Sequence, residues 1–78
     1  MKSPEPTALA LEIRAEMARQ RLSASDLADR CELSEPQMAR RLSGSVSLTV
    51  SDALTIAGAL GVPLWKLMAR AESEASAA

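Results

Sequence analysis

Residues 22–44 read LSASDLADRCELSEPQMARRLSG, and two helix-start signals stand eleven positions apart within them, at Ser23-Ala24-Ser25-Asp26 and Ser34-Glu35-Pro36-Gln37. At each, the serine hydroxyl can accept from a first-turn N–H while the residue three positions on reaches back to the cap. The interval holds about two helical turns and a tight connection, so the two helices cross steeply and do not continue as one. That is the outline of a helix-turn-helix, whose second helix stands out as a rod that a DNA major groove admits.

The second helix of the pair is expected from 35 to about 43, with Pro36 in its first turn, where a missing N–H costs nothing, and Gly44 at its end. At about 100° per residue Met38 and Leu42 share the buried face. Arg40 lies almost opposite them, with Pro36 and Ser43 beside it and Gln37 next, while Arg41 sits closer to the buried edge. The preceding helix, 24 to about 31, buries Leu27, Ala28 and Cys31, and Glu32-Leu33 make the turn with Leu33 pointing inward.

Upstream, a first helix runs from residue 7 or 8 to 20. Leu9, Ile13 and Met17 form its buried stripe, and Glu12, Arg14, Glu16, Arg19 and Gln20 cover the remainder. Downstream of a polar loop over 45–48, Thr49-Val50-Ser51-Asp52 is a third capping signal. It opens a helix from about 50 to 60, whose apolar side is Leu54, Ile56, Ala57 and Leu60, and Gly61 stops it. Val62-Pro63 starts a fifth helix, 64 to about 71, burying Leu64, Leu67 and Met68. Residues 1–6 read as a flexible arm, 7–71 as one domain and 72–78, ending ESEASAA, as a disordered tail.

Composition agrees with an all-α fold. The chain has 78 residues, 47% of them hydrophobic and only 1% aromatic, so the core is Leu, Ile, Val, Met and Ala, which favour helices over sheets. A domain this size buries only about 60% of its unfolded surface and needs a compact core. No apolar run is long enough for a membrane span and MKSPEP lacks the apolar segment of a signal peptide; a soluble, cytoplasmic protein is the expectation. With one cysteine, Cys31, and no histidine, internal disulfides are excluded, the usual zinc sets are absent and the commonest general base is missing. No enzyme, metal or cofactor is expected. Net charge is −1, which argues mildly against a polyanionic partner unless positive charge is gathered locally. Between Pro36 and Val50 there are two arginines and no acid.

From Ile13 to about Leu67 the chain resembles the Cro/C1-type, or XRE, helix-turn-helix family of phage and bacterial transcriptional regulators, in variants common among actinobacteria and their phages. The residues that carry the resemblance are Ile13-Arg14, LS-x-x-x-LA at 22–28, LS at 33–34, RRLSG at 40–44 and IAGALGVPLWKL at 56–67. It departs from the family at Ala24, where glutamine is usual, at Glu32, where a left-handed glycine is usual, and at Glu35, an acid where the family often contacts a base. The resemblance implies a compact five-helix, lambda-repressor-like domain that binds a double-stranded DNA operator as a homodimer and represses by promoter occlusion. No small-molecule effector is implied.

The DNA-binding set is then Ser34, Glu35, Pro36, Gln37, Arg40, Arg41, Ser43 and Ser45. Arg40 is the candidate for bidentate readout of guanine, with a solvated arginine as the alternative. Gln37 either reads adenine or serves only the capping box. Arg41 reads as a phosphate contact or as a salt bridge to an upstream acid. Ser34, Ser43 and Ser45 could donate to phosphates, and Ser34 could serve only as a cap. Cys31 reads as a small buried hydrophobe. Trp65 either forms a dimer interface or packs over the corner of the last two helices. The rival class is an antitoxin or other protein-interaction module, favoured by the acidic pI of about 5.3 and by Glu35 and Ala24.

Overall fold

A computed structural model describes residues 6–77, with side chains through residue 73. Five helices occupy the described residues, with no strand among them: α1 Ala8–Gln20, α2 Ala24–Arg30, α3 Glu35–Ser43, α4 Val50–Leu60 and α5 Leu64–Ala77. The expected all-α class and all five helices are present. Residues 1–5 of the expected arm, and residue 78, lie outside the described residues. The last helix does not stop near Ala71: it runs on to Ala77. Residues 72–77 contain no glycine or proline to break it, and alanine and glutamate are strong helix formers.

The helix starts form as the sequence dictates. Thr7 Oγ1 accepts from Ala10 N at 3.1 Å, and Ser23, Ser34 and Thr49 close full capping boxes with Asp26, Gln37 and Asp52. Three helix ends share one closure. Leu22 N donates to Met17 O, Leu33 N to Ala28 O and Val62 N to Ala57 O at 2.9–3.1 Å, while the residue before each donates to Ala18, Asp29 and Gly58 at 3.2–3.3 Å. This is the Schellman arrangement. Its pivots are Arg21, Glu32 and Gly61, all at positive φ, and the residues after them, Leu22, Leu33 and Val62, pack against the core.

That core joins Ile13 and Met17 of α1, Leu27, Ala28 and Cys31 around α2, Met38 and Leu42 of α3, Ile56, Ala57 and Leu60 of α4 and Leu67 of α5. Helix α1 packs on α5 and α3, and α2 on α3 and α4. Two expected core residues are instead exposed, Leu54 at 56% and Met68 at 52%. The buried stripe of α4 is Ala53, Ile56, Ala57 and Leu60, spaced i, i+3, i+4, i+7, which turns Leu54 outward. On α5, Leu67 and Ala71 point inward, and Met68, one residue past Leu67, points away.

The larger correction concerns α1, whose Glu12 and Glu16 do not cover an outer face. Glu12 is fully buried and Glu16 nearly so. Arg19 Nη1 donates to Glu12 Oε2 at 3.0 Å and to Glu16 Oε1 at 2.7 Å, and Arg70 Nη1 of α5 donates to Glu16 Oε1 at 2.9 Å. Gln20 Nε2 donates to Glu16 Oε2 and to Leu60 O. The cluster therefore ties α1 to α5 and to the end of α4. Arg30 donates to Ala59 O, so two terminal carbonyls of α4 are satisfied by side chains from other helices.

The hydrogen bond from Gln20, opposed by burial and reinforced by Arg19 and Arg70, holds the Glu16 carboxyl below the usual carboxylate range. Asp26 and Asp52 are held low chiefly by the backbone N–H groups of Ser23 and Thr49. A depressed folded pKa contributes stability above the unfolded value that is lost as pH falls through the folded one. The melting temperature is therefore expected to hold steady down to about pH 5 and to fall below about pH 4, with Glu16→Gln flattening the fall. A melting temperature indifferent to acid would contradict these ties.

A second expectation comes from the α2–α3 corner, where Glu32 adopts φ 58° at a steric cost that glycine escapes. Glu32→Gly should raise the unfolding free energy by about 1 kcal/mol in urea titrations. No gain would mean that the Glu32 side chain is worth as much as the strain.

Candidate nucleic-acid interface

Helix α3 is short and well bounded. Its first turn is closed by Ser34, whose Oγ accepts from Gln37 N at 3.2 Å while Gln37 Oε1 accepts from Ser34 N at 2.8 Å. Glu35 stands in this first turn, where an acid complements the positive end of the helix dipole, and this accounts for the residue in structural terms. At its other end Gly44 takes φ 89°. Met38 and Leu42 face the core, and the remaining face of the helix looks outward.

All eight residues of the expected set lie on α3 or at its ends. Ser34, Glu35, Pro36, Gln37, Arg40, Ser43 and Ser45 are exposed. Ser43 Oγ donates to Arg40 O at 3.1 Å and lies 3.1 Å from Ser45 Oγ, which folds the loop after α3 back on the helix end. Arg41 is different. Its side chain is only 19% exposed, its Nε sits 3.4 Å from Asp52 Oδ2, and its Nη1 donates to Gln37 O at 3.0 Å. The ion-pair alternative is the one observed, with the acid downstream on α4. The contact is chiefly electrostatic, because the buried Nε–H is not aimed well enough to make a hydrogen bond.

Accounting for the other cations isolates a small group. Arg19 and Arg70 are held by Glu12 and Glu16, Arg30 by Ala59 O and Arg41 by Asp52. Among the described residues Arg14, Arg21, Arg40 and Lys66 make no ion pair or side-chain hydrogen bond. Arg14 borders the same hollow, about 390 Å³, as Ala24 at the start of α2 and Ala39, Leu42 and Ser43 of α3. It thus stands on the flank of α3, where periodicity alone reads a solvated arginine. Cys31 is buried, and burial pushes its thiol pKa up, the opposite of what a reactive thiol needs.

A second surface is apolar. Trp65 is 70% exposed and Met68, one turn on, shares that exposure. Leu54 of α4, itself exposed, lines a hollow of about 320 Å³ with Ala57, Gly58, Gly61, Val62, Pro63 and Leu64 at the start of α5, and Val50 is exposed one turn before Leu54. No single described helix is long and apolar enough to cross a membrane.

No family model matches the chain, and no curated protein matches it either. Among solved structures it is similar to two crystal structures of the clp gene regulator ClgR from Corynebacterium glutamicum. One has a TM-score of 0.80 at 18% identity, with 86% of this chain and 87% of that chain covered. The other has a TM-score of 0.81 at 20% identity, with 91% and 79% covered. The likeness is one of fold: a five-helix, all-α helix-turn-helix domain.

The two arginines of α3 are expected to behave differently in the protein alone. Arg41→Ala should lower stability by about 1 kcal/mol, and Arg40→Ala should change it by less than about 0.5 kcal/mol. Equal losses in thermal or urea unfolding would remove the structural role given to Arg41.

Proposed function

We propose that this chain is a transcriptional regulator that binds double-stranded DNA in a sequence-specific manner, with α3 in the major groove. The observation that carries the reading is α3 itself, a capped helix of nine residues whose outer face bears one arginine, Arg40, left unpaired. Arg40 is the base-reading residue, suited to the O6 and N7 of a guanine. Ser34, whose hydroxyl proton the cap leaves free, donates to a phosphate at the leading end of the helix. Ser43 and Ser45 do so at the other end by giving up the bonds their hydroxyls make to Arg40 O and to each other. Arg14 adds a phosphate contact on the flank, and Glu35, Pro36 and Gln37 form the leading end that enters the groove. The regulatory role is supported by the fold shared with ClgR and by the resemblance to the Cro/C1-type family.

In the finer reading the protein is a cytoplasmic, Cro/C1-type repressor that acts by promoter occlusion. It works as a homodimer through the exposed Trp65 of α5. Two-fold symmetry would then match half-sites centred about one turn of DNA, roughly 34 Å, apart.

Selection from random duplexes is expected to enrich two inverted half-sites centred about one helical turn apart. Arg40→Ala should weaken binding to the selected sequence by about 1–3 kcal/mol and relax preference at one position of each half-site. Enrichment of nothing beyond non-specific affinity at moderate salt would sink the proposal.

A further inference from the structure

We propose that Asp52 is a specificity-determining residue of this interface, acting through Arg41: it withholds from the DNA backbone a cation that the sequence places on the recognition helix. The inference rests on the DNA-binding reading. Asp52 uses one carboxylate oxygen twice. Oδ2 accepts from Thr49 N at 3.1 Å to close the cap of α4, and the same atom faces Arg41 Nε at 3.4 Å across the gap between α3 and α4. Arg41 is fixed at a second point by its bond to Gln37 O. Its guanidinium is thereby bent back along α3 toward the capped end of the next helix and is largely covered. Arg40, its neighbour in sequence, is exposed and held by no acid.

The consequence follows from what each kind of contact does. A phosphate contact strengthens binding to every sequence, because the backbone charge is the same everywhere, whereas a base contact strengthens binding to one. Two adjacent arginines on a recognition helix would give substantial sequence-independent affinity. Pairing one of them to Asp52 leaves base readout to Arg40 and lowers the non-specific background. The same pair fixes the approach of α3 to α4, and so the angle at which Arg40 is presented.

The test is Asp52→Asn, which keeps an oxygen to accept from Thr49 N and removes the charge that holds Arg41. Affinity for a non-specific duplex is measured against salt concentration for wild type, D52N, R41Q and the double variant D52N/R41Q. D52N is expected to bind non-specific DNA several-fold more tightly and to steepen the log–log salt slope by about 0.9 per protomer, the signature of one added phosphate contact. R41Q alone should leave the non-specific slope at its wild-type value, because the contact is not made in the wild type. The double variant should return to that slope. This outcome separates release of Arg41 from the mere loss of a negative charge near DNA, which would persist in the double variant. The proposal is overturned if D52N leaves the slope unchanged, if its effect survives R41Q, or if R41Q alone flattens the wild-type slope. Wild-type protein with no affinity for DNA even at low salt would overturn the DNA-binding reading itself, whereas wild-type binding with an unaltered D52N slope removes only the role given to Asp52.

Discussion

The corner between α2 and α3 passes through a single left-handed residue, Glu32, and what α3 presents outward depends on that reversal. Glu32 N and Leu33 N close the end of α2 on Asp29 O and Ala28 O, Leu33 drops onto the core, and Ser34 caps the next helix at once. The same device recurs at Arg21-Leu22-Ser23 and, with proline in place of the cap, at Gly61-Val62-Pro63. Each time a left-handed pivot is followed by an apolar anchor and then by a helix start. The pivot stops one helix, the anchor fixes the corner in the core, and the start aims the next helix. Two of the three pivots are not glycine, so their strain is borne by the anchoring residues and by the bonds that close the turn.

What could be read from the sequence followed this local logic. Capping at Ser23, Ser34 and Thr49 depends on residues three apart, and the burial of Met38 and Leu42 depends on residues four apart, so both were legible. Glu12 and Glu16 were not. Periodicity assigns a glutamate to the solvent side, and the arginine that completes their cluster, Arg70, lies 54 positions beyond Glu16. The exposure of Leu54 and Met68 was hidden for a related reason: alanines at 53 and 71 take the buried positions, and a reading weighted by side-chain size favours the leucine and the methionine. In the candidate interface the outward face of Arg40 was legible from helix geometry alone. The tie of Arg41 to Asp52 was not, because it depends on how the loop over 45–48 brings α4 alongside α3.

These long-range ties also explain how a chain of net charge −1 leaves arginines unpaired on and beside α3. The acids are not spread evenly against the bases. Glu12 and Glu16 take up Arg19 and Arg70 between α1 and α5, and Asp26 is engaged in capping at Ser23. Arg14 and Arg40, both facing the α3 side, are left without partners. Net charge therefore says little here about the local potential at α3, which is set by the unpaired Arg14 and Arg40 together with the exposed Glu35 of its first turn.

Gln37 is where the fold and any base readout compete for the same atoms. Bidentate recognition of adenine needs the side-chain oxygen to accept from N6 while the amide nitrogen donates to N7. In the folded protein that oxygen accepts from Ser34 N at 2.8 Å and turns the side chain back toward the cap. Swinging it outward would break one side of the capping box, at a cost of about 1 kcal/mol, which is comparable to the lower end of what a bidentate base contact returns. Its Nε2 amide protons are not used by the cap and can donate from the capped position to a guanine O6 or N7 or to a thymine O4. The capping box thus biases Gln37 toward single contacts with acceptor edges, adenine N7 among them, and against bidentate recognition of adenine.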